Sequence, residues 1–331
     1  MLYRPLGTSS LKVSVIAFGA WQIGDPEFWG ADERADADGA VAAALDAGIN
    51  LFDTAELYGD GRSEEILGKA LGNHRDEVYI ASKVSTQHCT AEGIRAACEA
   101  SLRRLGTDRI DLYQVHWPFT EAPYEEVFPA LERLKQEGKI REIGVSNFGP
   151  RDLDKWMAVG HAVSNQVGYN LLFRAPEYTM IPACQRSGMG VLAYMPLMQG
   201  LLSGRYEHLD DIPMKRRRTR HFSSRREGTR HGEPGHEELL EDTLADLLDF
   251  AEAIRVPPAV LSLSWLIAQP GITAAIVGAR NPDQLRSNLP AAELNIGPAA
   301  IAQLNEFSYP LKMAMGYNCD MWESEEDKRI H

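Results

Sequence analysis

The chain lacks the features that mark secreted, disulfide-linked and membrane-spanning proteins. Only four cysteines occur in 331 residues, and no two form a CxxC pair, which is typical of reduced thiols in a cytoplasmic protein. The first residues include no apolar signal segment, and no stretch approaches the roughly 18 uninterrupted apolar residues of a membrane helix. We therefore expect a cytoplasmic protein without a membrane span.

Positive charge is also scarce. Lys and Arg number 34 against 47 Asp and Glu, which gives a formal net charge of −13 and argues against non-specific nucleic-acid binding. The basic run at 215–220 has no interleaved aromatic residues of the kind that bind nucleic acid. The expected partner is therefore a small molecule, with no nucleic acid and no membrane, while the oligomeric state stays open.

Short apolar runs that end in a polar residue recur along the chain and alternate with longer helical patterns. Such alternation predicts parallel strands joined by crossover helices. The strand candidates lie near residues 15–18, 49–53, 78–83, 110–116, 140–146, 163–167, 190–194 and 274–277. Eight strands predict a single (β/α)8 TIM barrel over residues 1–331, whose strand ends meet at one catalytic mouth.

Helical periodicity separates these strands. The predicted helices are Glu33–Ala47, Ser63–Leu71, Ala91–Leu105, Tyr124–Glu137 and Pro150–Met157. In the third of them, apolar residues at i, i+3 and i+4 spacing indicate a core-facing stripe. Residues 3–15 predict a small N-terminal hairpin that closes the barrel floor.

Two segments interrupt the alternation. Residues 204–235 follow the seventh strand without periodicity, which predicts a long loop at the mouth. Its arginines, between 215 and 230, could be solvated or could hold phosphate groups, and both interpretations stay open. The C-terminal tail after Tyr309 is rich in large apolar residues, and we expect it at the mouth as well.

Four residues carry the predicted chemistry: Asp53, Tyr58, Lys83 and His116. A tyrosine titrates near pH 10 in water, and a neighbouring lysine ammonium lowers that pKa by stabilising the phenolate. A buried aspartate keeps the lysine charged, and a histidine can polarise a carbonyl oxygen. Tyrosine as general acid suits reduction of a carbonyl by hydride, and because no side chain supplies hydride, a nicotinamide cofactor is implied.

Two competing interpretations are weaker. Asp53, Glu56 and His116 could bind a metal, but no HxH at a strand end and no HExxH motif is present, so no metal is expected. Gly59-Asp-Gly61 lacks the third glycine of a dinucleotide-binding fingerprint and does not open a helix after a strand, so a Rossmann fold is rejected.

The order of motifs resembles the aldo-keto reductase family, in particular its bacterial branch with inositol-dehydrogenase-like and general-stress reductases. Residues 48–59 (GINLFDTAELYG) and 63–68 (SEEILG) resemble the first family signature. The remaining landmarks are Lys83, 111–117 (DLYQVHW), 144–147 (GVSN), 165–166 (NQ), Tyr194 with 200–204 (GLLSG), and 276–288 (IVGARNPDQLRSN). The resemblance runs from about Tyr3 to Asn288.

The resemblance implies that Tyr58 donates the proton with support from Asp53 and Lys83, while His116 orients the carbonyl. It assigns the nicotinamide carboxamide to Ser146, Asn147 and Gln166 and ring stacking to Tyr194. Arg280 would meet the 2′-phosphate of NADPH, with Gln284 and Asn288 near the adenine. Met195 and Met198 depart from the small or hydroxylated residues of the family pattern, and Ser287 replaces an acidic one.

The expected activity is NADPH-dependent reduction of a small aldehyde, ketone or oxidised sugar, or the reverse oxidation, with NADH the less favoured cofactor. Trp21, Trp29, Trp117 and Trp322 are expected to line the substrate pocket, and Gln22, His88 and Asn318 suggest recognition of hydroxyl groups. The alternative is a redox-sensing regulatory subunit resembling channel β-subunits, which keep the same four residues.

Overall fold

Eight parallel strands form a closed barrel in the computed structural model, which describes residues 1–30 and 35–331. The strands are β3 (Ile16–Gly19), β4 (Leu51–Asp53), β5 (Tyr79–Val84), β6 (Ile110–Val115), β7 (Ile140–Ser146), β8 (Ser164–Gly168), β9 (Gly190–Tyr194) and β10 (Ile272–Gly278). Each predicted strand is confirmed. The barrel closes because β10 pairs in parallel with both β9 and β3.

The apolar strands bury residues on two opposite faces. Leu51, Ala81 and Leu112 pack inside the barrel, whereas their neighbours, such as Phe52 and Tyr113, pack outward against the helices. This division follows from the period of two residues along a strand. The parallel arrangement then places every carboxyl end at the same mouth.

The predicted hairpin is formed by β1 (Tyr3–Pro5) and β2 (Lys12–Ser14), which pair antiparallel. Leu6, Leu11 and Val13 from this segment join the interior cluster and close the barrel floor. The turn requires Gly7, which has a φ of +55° and whose added Cβ would lie 2.1 Å from the carbonyl oxygen of Val163.

Helices surround the barrel. They are α1 (Trp21–Gly24), α2 (Pro26–Trp29), α3 (Ala37–Asp46), α4 (Arg62–Leu71), α5 (Ala91–Leu105), α6 (Tyr124–Gln136), α7 (Pro150–Val159), α8 (Met180–Arg186), α9 (Glu237–Ala253), α10 (Pro258–Ala268), α11 (Pro282–Asn288), α12 (Gly297–Phe307) and α13 (Tyr309–Met315). The predicted helix 33–47 corresponds to α3, and its first two residues fall outside the described residues. Helix α5 has the predicted bounds, with Thr90 accepting a hydrogen bond from the Gly93 amide as N-cap.

Residues 204–235 contain short 3-10 turns at Leu209–Asp211 and Met214–Arg216 and connect β9 to α9. The tail after α13 returns to the barrel mouth, where Met321 is fully buried. Among the described residues, no single helix has the length and apolar composition to cross a membrane. The pair α9 and α10, bent by 101°, meets those criteria only when both are taken together.

Candidate active site

A chain of hydrogen bonds joins three of the four predicted residues at the barrel mouth. Asp53 ends β4, Tyr58 lies in the turn after it, and Lys83 is the second-last residue of β5. The Lys83 ammonium Nζ donates to Asp53 Oδ1 at 2.6 Å, to the Thr54 carbonyl at 2.8 Å and to the Tyr58 hydroxyl at 3.1 Å. The Asp53 carboxylate and the Thr54 carbonyl therefore hold the buried ammonium in place beside the Tyr58 hydroxyl.

The pKa shifts of this chain follow from burial and charge. Burial lowers the pKa of Lys83, but attraction to Asp53 and Tyr58 outweighs it, so the pKa lies above its ordinary value and the lysine stays charged. Burial raises the pKa of Tyr58, and the nearby Lys83 opposes this without cancelling it. Lys83 acts on the tyrosine pKa in the expected direction, but desolvation is the larger effect, so the net pKa lies above its ordinary value.

His116 directly follows β6 and faces Tyr58, with ring centroids 5.8 Å apart at 77°. Burial, assisted by the positive charge of Lys83, holds the pKa of His116 well below its usual range. The imidazole is therefore neutral near pH 7 and carries one N–H donor. Among the described residues, its Nδ1 atom has no hydrogen-bond partner.

The second carboxylate oxygen of Asp53 is held by two amides. Gln166 Nε2 donates to Asp53 Oδ2 at 2.7 Å, and Gln114 Nε2 lies 3.4 Å from the same oxygen. Gln114 is fully buried near the end of β6 and was missed in the sequence. The signal was available, since it is a polar residue two positions after the inward-facing Leu112 of the same strand.

The ends of β7 to β9 bring the predicted carboxamide and stacking residues together. The Ser146 hydroxyl donates to the Gln166 carbonyl at 3.0 Å. Asn147, with φ of 64°, donates from Nδ2 to the His116 carbonyl at 3.1 Å. The Tyr194 hydroxyl donates to Asn147 Oδ1 at 2.8 Å. These bonds connect the expected cofactor residues to one another and to the backbone of His116.

On the β10 side, Arg280 precedes α11, which carries Gln284 and Asn288. The Arg280 amide donates to Gln284 Oε1 at 2.9 Å, and its guanidinium Nη1 lies 3.4 Å from the carbonyls of Trp29 and Gly30. All three predicted residues line the same cavity, and so does Ser287.

The arginine-rich loop divides into two groups. Arg216 lines the cavity, as does Arg205 ahead of the run, and Arg216 Nη2 donates to the Trp29 carbonyl at 3.1 Å. Four others are paired with carboxylates. They are Arg217 with Asp210, Arg220 with Glu233, Arg226 with Asp210 and Glu237, and Arg230 with Glu323. The sequence did not distinguish the two groups, because the acidic partners are distant from the run or lie in other elements.

The cavity has a volume of about 830 Å³. Its lining includes the four predicted tryptophans, Trp21, Trp29, Trp117 and Trp322. Of the four predicted catalytic residues it includes Asp53, Tyr58 and His116, while Lys83 lies deeper. It also includes every predicted cofactor residue: Ser146, Asn147, Gln166, Tyr194, Arg280, Gln284 and Asn288.

Only some of the residues suggested for hydroxyl recognition, and only one of the two methionines that depart from the family pattern, lie at the cavity. Gln22 and Met195 line the cavity, while Met198 is buried in the core. His88 does not line it and instead contacts Glu56, with Nδ1 and Oε1 3.0 Å apart. Asn318 donates to the Glu323 carbonyl at 3.0 Å within the tail.

The barrel and its hydrogen-bonded tyrosine, lysine and aspartate beside a neutral histidine define a barrel oxidoreductase. The model of the aldo/keto reductase family matches residues 15–308, so the chain belongs to that family.

Relatives and solved structures span nearly the whole chain. Aldo-keto reductase YhdN of Bacillus subtilis is 35% identical over 304 residues, covering 87% of each protein. Methylglyoxal reductase YeaE of Escherichia coli is 32% identical over 306 residues, covering 92% of this chain and 93% of that protein. An aldo-keto reductase from Klebsiella pneumoniae, solved in complex with NADPH, is 28% identical, with a TM-score of 0.73 and coverage of 100% and 99%.

Proposed function

We propose that this protein reduces the carbonyl group of a small aldehyde, ketone or oxidised sugar with NADPH, or catalyses the reverse oxidation with NADP+. The observation that carries the proposal is the buried Tyr58–Lys83–Asp53 chain opening into the cavity beside His116. A methylglyoxal reductase among the relatives supports a small carbonyl compound as substrate.

Each of these side chains has a role in moving one proton. Neutral His116 donates its N–H to the carbonyl oxygen and polarises it. The raised pKa of Tyr58 keeps its hydroxyl protonated before reaction, and the hydroxyl then gives its proton to the same oxygen. Lys83 stabilises the phenolate that remains, while Asp53 keeps the ammonium charged and oriented.

The residues at the mouth are suited to bind nicotinamide adenine dinucleotide phosphate. Ser146, Asn147 and Gln166 offer the donors and acceptors that a carboxamide needs, and Tyr194 offers an aromatic face. The guanidinium of Arg280 suits the 2′-phosphate, with Gln284 and Asn288 at the adenine. The chemistry that NADPH supplies when bound is transfer of a hydride to the carbonyl carbon. NADPH in a related structure supports this choice over NADH.

The first test is steady-state consumption of NADPH with methylglyoxal, simple aldehydes and sugar-derived aldehydes, with the alcohol product measured in parallel. We expect many turnovers per protein molecule on at least one small carbonyl compound. A chain that binds NADPH tightly but consumes no more than one equivalent with every compound would contradict the proposal and favour the redox-sensing subunit.

A further inference from the structure

One wall of the cavity is built from aromatic rings of three different segments. Trp322 of the C-terminal tail lies parallel to Tyr194 at the end of β9, with centroids 6.2 Å apart and an angle of 9°. It also meets Trp117, which follows β6, edge to face at 6.0 Å. Trp117 and Trp322 both line the cavity, so their relative position sets its width at that wall.

Arg329 holds this wall from behind and does not itself line the cavity. Its guanidinium carbon lies 3.9 Å from the centroid of Trp117 and 5.9 Å from that of Trp322. A cation over an indole face is attracted by the partial negative charge on the face of the π system, most strongly where water is excluded. One side chain thus contacts both tryptophans of the wall.

Asp320 fixes the position of Arg329. The guanidinium Nε and Nη2 atoms donate to the two Asp320 carboxylate oxygens at 2.8 Å each. The same carboxylate, which is fully buried, accepts the backbone amides of Trp322 at 3.1 Å and Glu323 at 3.3 Å. The bidentate pair therefore ties the main chain that carries Trp322 to the cation that rests on Trp117.

We propose that Arg329 is a specificity-determining positioning residue. With Asp320 it keeps Trp322 against Trp117 and Tyr194, and by fixing this aromatic wall it restricts the cavity to small carbonyl compounds. The inference rests on the proposed function for its substrate, although the packing it describes is measurable without turnover. Loss of the cation loosens the wall, which weakens contact with small substrates and admits larger ones.

The test compares Arg329→Met, which keeps much of the side-chain length without charge, with Arg329→Lys, which keeps the charge. The matched control is Arg95→Met on α5, a half-exposed arginine that also pairs with carboxylates. Near-UV circular dichroism reports the packing of the tryptophans, and far-UV circular dichroism checks the fold. Fluorescence titration gives the NADPH Kd, and kcat and KM are measured for methylglyoxal and for a bulky aryl aldehyde.

We expect Arg329→Met to reduce the near-UV signal and to raise the KM for methylglyoxal about fivefold, since the partly exposed guanidinium gives up its contact with both indole rings. The ratio of kcat/KM for the aryl aldehyde to that for methylglyoxal rises by about the same factor, while the NADPH Kd stays within about twofold. Arg329→Lys recovers part of both changes, and Arg95→Met behaves as the wild type.

An unchanged ratio, or equal losses for both aldehydes, would overturn the proposal, because either result gives Arg329 no role in selecting substrate. If Arg329→Met fails to fold, Arg329→Lys decides by the same ratio. If the wild type turns over neither aldehyde, the proposed function fails on those compounds. The near-UV signal then decides the positioning role alone, and no change in that signal overturns it.

Discussion

Replacing Tyr58 with phenylalanine tests the proposed proton donor. The change removes one hydroxyl and leaves the ring, which stacks on Trp21 with centroids 5.4 Å apart. Lys83 loses its contact at 3.1 Å but keeps Asp53 at 2.6 Å and the Thr54 carbonyl at 2.8 Å. Because the cation keeps its two closer acceptors, we expect a loss of only about 1 kcal/mol in the free energy of unfolding.

The effect on the reaction should be much larger. Loss of a general acid lowers kcat by roughly 10²-fold or more, which corresponds to at least about 2.7 kcal/mol in the activation barrier. The Kd for NADPH should change by less than about twofold, since no cofactor contact is assigned to the hydroxyl. Stopped-flow reduction, fluorescence titration of NADPH and chemical denaturation measure the three quantities separately.

The matched control is Tyr309→Phe, since that side chain is 54% exposed and does not line the cavity. It should keep full activity. Near-wild-type kcat in Tyr58→Phe would refute the assignment of the proton donor. A large rise in the NADPH Kd would instead show that the hydroxyl contributes to cofactor binding.

Two further predictions concern the cofactor and acid stability. Arg280→Ala should weaken NADPH binding by about 1.5–3 kcal/mol and leave NADH nearly unchanged, because a charge-assisted bond to the 2′-phosphate is lost. Fluorescence titration of both cofactors tests this, and equal losses would mean that Arg280 does not recognise the phosphate. Burial holds the pKa of His221 at about 3, below its ordinary 6.5, so the unfolded chain binds the extra proton between these values. The stabilising contribution is therefore complete above pH 6.5 and declines as the pH falls towards 3, by about 2 kcal/mol at pH 5. In denaturation experiments at pH 7 and pH 5, His221→Gln should reduce this loss, whereas the exposed His74→Gln should not. An equal pH dependence in His221→Gln and the wild type would contradict the assignment.

The strands and the positions of the four candidate catalytic residues could be predicted because their signals are local. Each barrel strand is a short apolar run, and Asp53, Lys83 and His116 stand at or beside strand ends in the sequence itself. Helix α5 was predictable because one face is buried and the other is not. In contrast, α10 is buried along Val260–Ile267, so it lacks the polar face that makes a helix periodic.

Properties that depend on distant partners could not be predicted. The sign of the Tyr58 pKa shift depends on how much water the fold excludes, which the motif does not contain. The pairing of Arg220 with Glu233 and the tail carbonyls, and of Arg329 with Asp320, follows from loop paths. The cavity position of Arg216 follows from the same paths, while Asn318 is held within the tail.

The order of strands around the barrel separates the residues proposed for proton delivery from those proposed for cofactor binding. Residues assigned to proton delivery come from β4 to β6, and those assigned to cofactor binding come from β7 to β10 and α11. The halves share the carboxylate of Asp53, which accepts Lys83 on one oxygen and Gln166 on the other. Substitutions in the second half can therefore alter cofactor preference while proton delivery is retained, except at Gln166 and at Asn147, which donates to the His116 carbonyl. A change at either of these residues directly affects the other half.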